Sequence, residues 1–347
     1  MRIGTSVHVA EDFESAVHEV VELESAGLDV VHVPEAYSFD AVSRIGYLAA
    51  RTHRVELASG VLQLYTRTPA LTAMTAAGLD SVSGGRFTLG IGVSGPQVVE
   101  GFHGVPYDSP LARTRELVGI CRQVWRREPL VHRGEHYRIP LPEGEGTGLG
   151  KPLKLINRPL RERIPITLAA TGPRNVALAA EIAEGWQPIF YLPEQAADVW
   201  GRSLAEGAAR RDARLGALDV VVPVTVAIGS EVDHVVDSLR PTLALYIGGM
   251  GARGRNFYHD LACRYGYEAE AKLVQDLYLA GRREEACAAV PRSLIEGISL
   301  IGPPGFVRER LAAFAESGVT TLSVQMPTAD SGQRLRQFAL LRDLVHG

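Results

Sequence analysis

Cysteine is scarce in this chain: Cys121, Cys263 and Cys287 are odd in number and far apart among 347 residues. They offer no disulfide framework and no paired thiolate ligands, and they fit a reducing cytoplasm. No apolar run is long enough to span a bilayer, so no membrane partner is expected. The N-terminus enters a strand-like run, Arg2-Ile3-Gly4-Thr5-Ser6-Val7, with no charged stretch leading into an apolar one, so no secretory signal is expected. Positive charge is not in excess. There are 36 Lys and Arg against 40 Asp and Glu, a formal net charge of −4, which argues against nucleic acid as the main partner. No Cys-x-x-Cys pair appears, and no metal is expected. No Gly-x-Ser-x-Gly elbow supports a serine hydrolase.

What is present centres on Tyr65 to Val98, a complete helix-to-strand unit with a Gly-rich exit. Thr68 is a fair N-cap and Pro69 suits the first helical turn, where a missing N–H costs nothing. Leu71, Met74, Thr75, Gly78, Leu79 and Val82 recur at helical spacing, so this stripe is expected to pack against a partner surface, and the small residues Ala73, Ala76, Ala77 and Gly78 let the helix lie close. Ser83-Gly84-Gly85 stops the helix. Arg86 to Ile91 is a short buried strand that opens into Gly92-Val93-Ser94-Gly95-Pro96-Gln97. Such a segment, at the carboxyl end of a buried strand, is where α/β folds bind ligands.

The same alternation runs through the chain. Strands are expected at Ile3–Val9, Leu28–Val33, Val55–Leu62, Arg86–Ile91, Ile164–Ala169, Gly185–Ile189, Asp219–Ile228 and Thr320–Gln325. Helices fall between them, among them Phe13–Ala26, Asp40–Thr52, Leu111–Arg126, Pro173–Ala183, Pro193–Arg211, Pro304–Ser317 and Ser331–Val345. Eight strands alternating with eight helices point to a (β/α)8 barrel, or TIM barrel, as one domain over residues 1–347. A doubly wound open sheet is the runner-up, but no Gly-x-Gly-x-x-Gly follows strand one. Two insertions interrupt the pattern. One, at about 128–163, is irregular and suits a binding loop. The other, at about 231–298, is largely helical and carries Tyr258, Tyr265, Tyr267 and Tyr278, for substrate or subunit contact.

A barrel collects specific residues at its carboxyl face. Strand one delivers Ser6 and His8, strand two Glu35 and Tyr37, strand three Gly60, Val61 and Gln63. Strand four delivers Ser94, Gly95, Pro96 and Gln97, strand five Ala170, Thr171 and Gly172, and strand six Trp186. Gly172 permits close approach of a ligand, and Pro173 leaves the N–H groups of Arg174 and Asn175 free at a helix start, an anion site strengthened by the helix dipole. His8 and Glu35 are the titratable candidates for acid–base work. Their structural alternatives are a hydrogen-bonded histidine and a salt-bridged or helix-dipole carboxylate. His32 suits packing better. Tyr37, Tyr65, Phe102 and Trp186 would wall a site for an apolar or conjugated small molecule.

Three segments carry a family resemblance: PEAYSFDA (Pro34–Ala41), LASGVLQLYTRTPALTAMTAAGLDSVSGGRFTLGIGVSGPQVVEGFHGVPY (Leu57–Tyr107) and AATGPRNVALAAEIAEGW (Ala169–Trp186). On these the chain resembles the bacterial luciferase-like superfamily, in its branch that uses the deazaflavin coenzyme F420. The resemblance extends loosely over nearly the whole chain and implies a (β/α)8 barrel. It implies a non-prolyl cis peptide at Gly60–Val61 that backs the deazaflavin ring. It also implies a phosphate turn at Ala170, Thr171 and Gly172, a cofactor-lining segment at Ser94 to Val98, and a place near ring and substrate for Glu35. Relatives are often dimers packed through barrel helices, so a homodimer is implied too. The chain departs from the sugar-phosphate dehydrogenase branch, which has a His–Trp arrangement after strand two where this chain has Glu35-Ala36-Tyr37. It departs from the methylene-tetrahydromethanopterin reductase branch by Ser6-Val7-His8 at the end of strand one.

The reading is therefore an F420-dependent oxidoreductase that moves a hydride between the deazaflavin C5 and a small organic substrate, with Glu35 or His8 as general acid. One alternative is a luciferase-like monooxygenase fed with reduced FMN. Another is a flavin- or deazaflavin-binding protein without catalysis of its own.

Overall fold

The computed structural model describes residues 1–7, 12–328 and 330–347. Eight parallel strands close on themselves: β1 (Arg2–Ser6), β2 (Val30–Val33), β3 (Glu56–Ser59), β4 (Phe87–Gly92), β5 (Ile166–Ala169), β6 (Gly185–Gln187), β7 (Asp219–Ile228) and β8 (Thr321–Gln325). Each strand pairs with the next in sequence, and β8 closes the ring on β1 with Gly4 opposite Ser323. The expected (β/α)8 barrel is what forms. Closure leaves none of these strands as a free edge.

The strands alternate by face. Val31, Val33, Leu57, Phe87, Leu89, Ile91, Val222 and Val224 are buried in the main hydrophobic core. The alternate positions turn inward and are unusually polar: Arg2, His32, Glu56, Thr88, Thr167 and Asp219 line a small internal cavity. Barrel interiors are commonly filled with Val, Ile and Leu. Here an ion pair of Arg2 with Glu56 at 2.5 Å occupies the amino-terminal end. His32, which suited packing on sequence, is one of these inward residues, with Nδ1 3.1 Å from Ser323 Oγ.

Strand three is broken where one run to Leu62 was expected. The chain leaves β3 at Ser59 and passes a cis Gly60–Val61 peptide, as the resemblance implied; Leu62–Gln63 then pairs with Ile91 and Gly92 of β4. The crossing is very close. A Cβ on Gly90 would lie 1.9 Å from the Ser59 carbonyl oxygen, and Ser59 Oγ both accepts from Gly90 N (2.8 Å) and donates to Gly90 O (2.9 Å). Only glycine fits there.

The crossover helices follow their caps. Asp12, Asp40, Thr68 and Asp330 each accept a backbone N–H in the first turn of the helices Phe13–Ser25, Ala41–Arg51, Pro69–Val82 and Ser331–His346. Helix Pro69–Val82 buries only part of the expected stripe, with Leu79 inside and its bulkier neighbours outside. Thr72, Ala73, Ala76, Leu79 and Asp80 face the protein, while Leu71, Met74 and Val82 are 47%, 53% and 63% exposed. Small residues were needed where the helix lies against Pro110–Trp125, whose Trp125 Nε1 donates to Ala73 O at 3.0 Å. Trp125 and Asp80 fix this face: Arg161 reaches in to Asp80, which is fully buried. The expected helix Pro193–Arg211 is a 3-10 turn (Pro193–Gln195), a π-turn (Ala197–Gly201) and a short α-helix (Arg202–Ala208). It buries Trp200 against Trp186 and Tyr191.

Segment 128–163 is mostly irregular around a two-residue hairpin, His132–Arg133 with Arg138–Ile139. Segment 231–298 holds five α-helices, Asp233–Ala244, Phe257–Arg264, Glu268–Leu279, Arg283–Ala288 and Arg292–Gly297, with a π-helical stretch at Leu245–Gly249. Leu300–Gly302 then pairs in parallel alongside the end of β7, Val226 to Ile228. Among the described residues no helix is long and apolar enough to cross a membrane.

Candidate active site at the strand carboxyl ends

Backbone strain marks the carboxyl face. Ala36 (φ 48°), Ser94 (φ 57°) and Phe190 (φ 49°) occupy the left-handed region just beyond β2, β4 and β6. Non-glycine residues hold that conformation only where the surroundings impose it, and such residues gather at functional sites. Among the described residues only Ser109 and Arg127 share it.

Beyond β2 lies a closed ionic corner. Glu35 is 8% exposed. Its Oε1 and Oε2 accept from Arg67 Nη2 and Nη1 at 2.6 and 2.8 Å, and Oε1 lies 3.4 Å from the Ala41 N–H at the start of helix Ala41–Arg51. Arg67 also binds Asp40 at 2.7 Å. Hydrogen bonding to Glu35, and then charge from Glu35 and Asp40, raise the guanidinium above its ordinary value against the opposing effect of burial. Glu35 is thus the salt-bridged, helix-start carboxylate of the structural alternative. Both oxygens are engaged, so the geometry speaks against Glu35 as a free general acid and makes it an anchor for the β2 exit. His8, the other candidate, lies outside the described residues.

Gln63 sits beside this corner, 5% exposed. Its Nε2 donates to Ala36 O at 2.5 Å, which helps hold the strained Ala36, and its Oε1 is buried with no protein partner among the described residues. A buried carbonyl oxygen without a donor is costly unless something else supplies one.

Three exits converge around Val61. The space a side chain on Gly92 would take is filled by Val61, with the Ala169 methyl close by. The cis turn, the β4 exit and the β5 exit therefore share one floor. Past β4, Ser94 and Gly95 lead into a single turn, Pro96–Val99, that carries Gln97. Past β5, Ala170 is pinned twice: it donates to Gln187 O at 3.2 Å and accepts from Trp186 Nε1 at 2.9 Å. Helix Pro173–Ile182 then begins at Gly172 with no side-chain cap, and Thr171, Gly172 and Asn175 are half-buried around it. Open space surrounds the Gly172 Cα where a side chain would stand.

Aromatic side chains rim this floor. Tyr65 packs on Tyr107 at 5.3 Å, and Tyr37 on Phe102 at 6.2 Å. From segment 231–298 come Tyr246 and Tyr258, with ring centroids 4.7 Å apart, and both meet Phe190. Burial, then the neighbouring Tyr246 and Tyr107, push the Tyr258 hydroxyl up to about 12, and burial followed by Tyr37 raises Tyr246. The segment therefore reaches across the mouth toward the β2 and β4 exits. Trp186 does not wall the mouth. It is fully buried between Tyr191 and Trp200, and only its indole N–H touches the β5 turn.

Sequence reasoning missed Arg67, Phe190 and Tyr246; Arg67 lies within the Leu57–Tyr107 segment that carries the resemblance, but neither it nor the two aromatics has a periodic signal. His132 and His136 stand at the His-x-x-x-His spacing of a metal-binding pair. His132 pairs with Glu116 at 2.9 Å, and among the described residues no group of three His, Cys, Asp or Glu gathers as a metal site.

The family model described as luciferase-like monooxygenase matches residues 1–321. The chain belongs to this family. It is 46% identical over 326 residues to a protein of Mycobacterium tuberculosis assigned as a coenzyme F420-dependent oxidoreductase, covering 93% of this chain and 92% of the relative. Its fold superposes on the F420-dependent tetrahydromethanopterin reductase of Methanopyrus kandleri with a TM-score of 0.80 at 20% identity, covering 99% and 98% of the two chains. An F420-dependent secondary alcohol dehydrogenase, solved with an F420–acetone adduct, matches with a TM-score of 0.76 at 17% identity over 100% and 99%. At these identities the two structures speak to the fold.

Proposed function

We propose that this luciferase-like protein is an F420-dependent oxidoreductase acting on a small organic substrate. The observation that carries the reading is the 46% identity, along almost the full chain, to the M. tuberculosis oxidoreductase. The residues at the mouth suit the coenzyme. The partnerless Gln63 Oε1 offers an acceptor to a ring N–H, and the uncapped start of helix Pro173–Ile182 offers backbone donors and a dipole to a phosphate. Gly60 and Val61 would back the ring. Ser94, Gly95, Pro96 and Gln97 would line its side, with Ala170, Thr171, Gly172 and Asn175 around the phosphate.

When bound, the coenzyme supplies or accepts a hydride at C5. The chain does the rest by position. The Glu35–Arg67–Asp40 corner fixes the β2 exit, and the Val61 floor would support the ring. The aromatic rim would flank the bound ring and substrate. A homodimer is part of the proposal: the exposed stripe of Leu71, Met74 and Val82 suits a second copy of the chain.

The test is a parallel titration with oxidised F420 and with FMN. Micromolar or tighter binding of F420 with weak FMN binding is expected. A preference for FMN would move the protein to the monooxygenase chemistry that the family description names. Binding of neither would overturn the reading.

A further inference from the structure

We infer that Phe190, Tyr246 and Tyr258 form a built substrate wall, and that the Tyr258 hydroxyl donates a hydrogen bond to the oxygen of an aromatic or conjugated carbonyl compound. The inference deepens the oxidoreductase reading and rests on it for the reaction, though not for the binding.

The wall is held in place by dedicated contacts. Asn256 is 1% exposed and ties both tyrosines together. Its Oδ1 accepts from Tyr258 N at 2.9 Å and His259 N at 3.2 Å, capping helix Phe257–Arg264. Its Nδ2 donates to the carbonyls of Tyr246 and Ile247, both at 2.9 Å. The π-helical stretch that carries Tyr246 is therefore locked to the helix start that carries Tyr258. Gly248 and Gly249 let Tyr278 lie against that stretch: a Cβ on Gly248 would meet the Tyr278 Cβ at 2.5 Å, and one on Gly249 would run into its ring. Phe190 is fixed from the same segment. Tyr265 Oη donates to Phe190 O at 2.8 Å and accepts from Leu192 N at 3.3 Å, holding the left-handed backbone that turns Phe190 toward the two tyrosines.

The chemistry of the wall selects its ligand. The three rings meet edge to face, with interplanar angles of 71° to 86°. Such a corner accepts a flat π-system by offset or edge contact. The hydroxyls of Tyr191, Tyr265 and Tyr267 bond to Ser317, Phe190 and Ser293, whereas those of Tyr246 and Tyr258 have no protein partner among the described residues. Burial and neighbouring tyrosines, not charges, set the electrostatics of Tyr258. A neutral ligand is favoured, and a phenol that keeps its proton is a donor. A carbonyl oxygen that gains negative character as hydride arrives is the acceptor such a donor serves best.

The experiment is calorimetric titration of the full-length protein with 2-acetonaphthone and with 2-ethylnaphthalene, which has the same shape without the oxygen. Wild type is expected to bind the ketone more tightly. Tyr258→Phe should weaken the ketone about tenfold and leave the hydrocarbon within about twofold. Phe190→Ala should weaken both by about tenfold or more. Binding of F420, measured on the same variants, should stay within about twofold. The inference is overturned if wild type binds neither naphthalene, or if Tyr258→Phe and Phe190→Ala bind both as wild type does. It is also overturned if F420 is lost in parallel, which would make these residues part of the coenzyme site. Failure of wild type to bind F420, with the naphthalene pattern intact, would instead overturn the coenzyme reading and leave the wall standing.

Discussion

Glu35 and Arg67 form a two-pronged ion pair with side chains 9% and 13% exposed. Removing one partner would leave a charge in a nearly dry pocket, which typically costs about 3–5 kcal/mol. Arg67→Ala should therefore lose about that much in urea unfolding, while the double change Glu35→Gln with Arg67→Met should lose less. His32 carries a second expectation. Burial pushes its imidazole down to about 4 from 6.5 in the unfolded chain, so the unfolded state binds more protons between those values. Its contribution is complete above about pH 6.5 and is lost on acidification toward pH 4, at up to about 1.4 kcal/mol per pH unit. Stability measured against pH should fall less steeply over that range in His32→Gln than in wild type; equal slopes would contradict the assignment. Glu35 was legible because it ends a strand. Arg67 was not, because a guanidinium 32 residues away gives no local sign of its partner.

Helix Pro69–Val82 shows why helical spacing alone misleads about faces. A bulky apolar stripe and a row of small residues share its surface, and spacing alone does not say which of them faces inward. Close approach to Pro110–Trp125 requires the smaller residues, so Ala73 and Ala76 are fully buried while Leu71 and Met74 are left outside. Met74→Asp should leave thermal unfolding nearly unchanged and convert a dimer to a monomer in sedimentation velocity. A wild-type monomer would sink the dimer proposal. The strands were legible because every other residue packs on helices. The break in strand three and the fragmentation of Pro193–Arg211 were not, because backbone turns of that kind depend on distant neighbours such as Gly90 and Trp186.

The whole molecule separates stability from chemistry by direction. Apolar contacts lie between strands and helices, polar groups fill the barrel, and strained loops cover its carboxyl end. The eightfold alternation, and the residues delivered to the mouth by strands three to five, could be read from the chain. The aromatic wall could not, since Phe190 meets Tyr246 and Tyr258 only once segment 231–298 has folded over the mouth. The three tryptophans, Trp125, Trp186 and Trp200, are all fully buried. The protein's ultraviolet emission will therefore be that of indoles in an apolar medium, shielded from dissolved quenchers. Two of the three are deaf to the mouth by position. Trp186 is the exception: its N–H holds the Ala170 carbonyl, so an anion settling on the next turn of chain is one bond away from a built-in optical reporter.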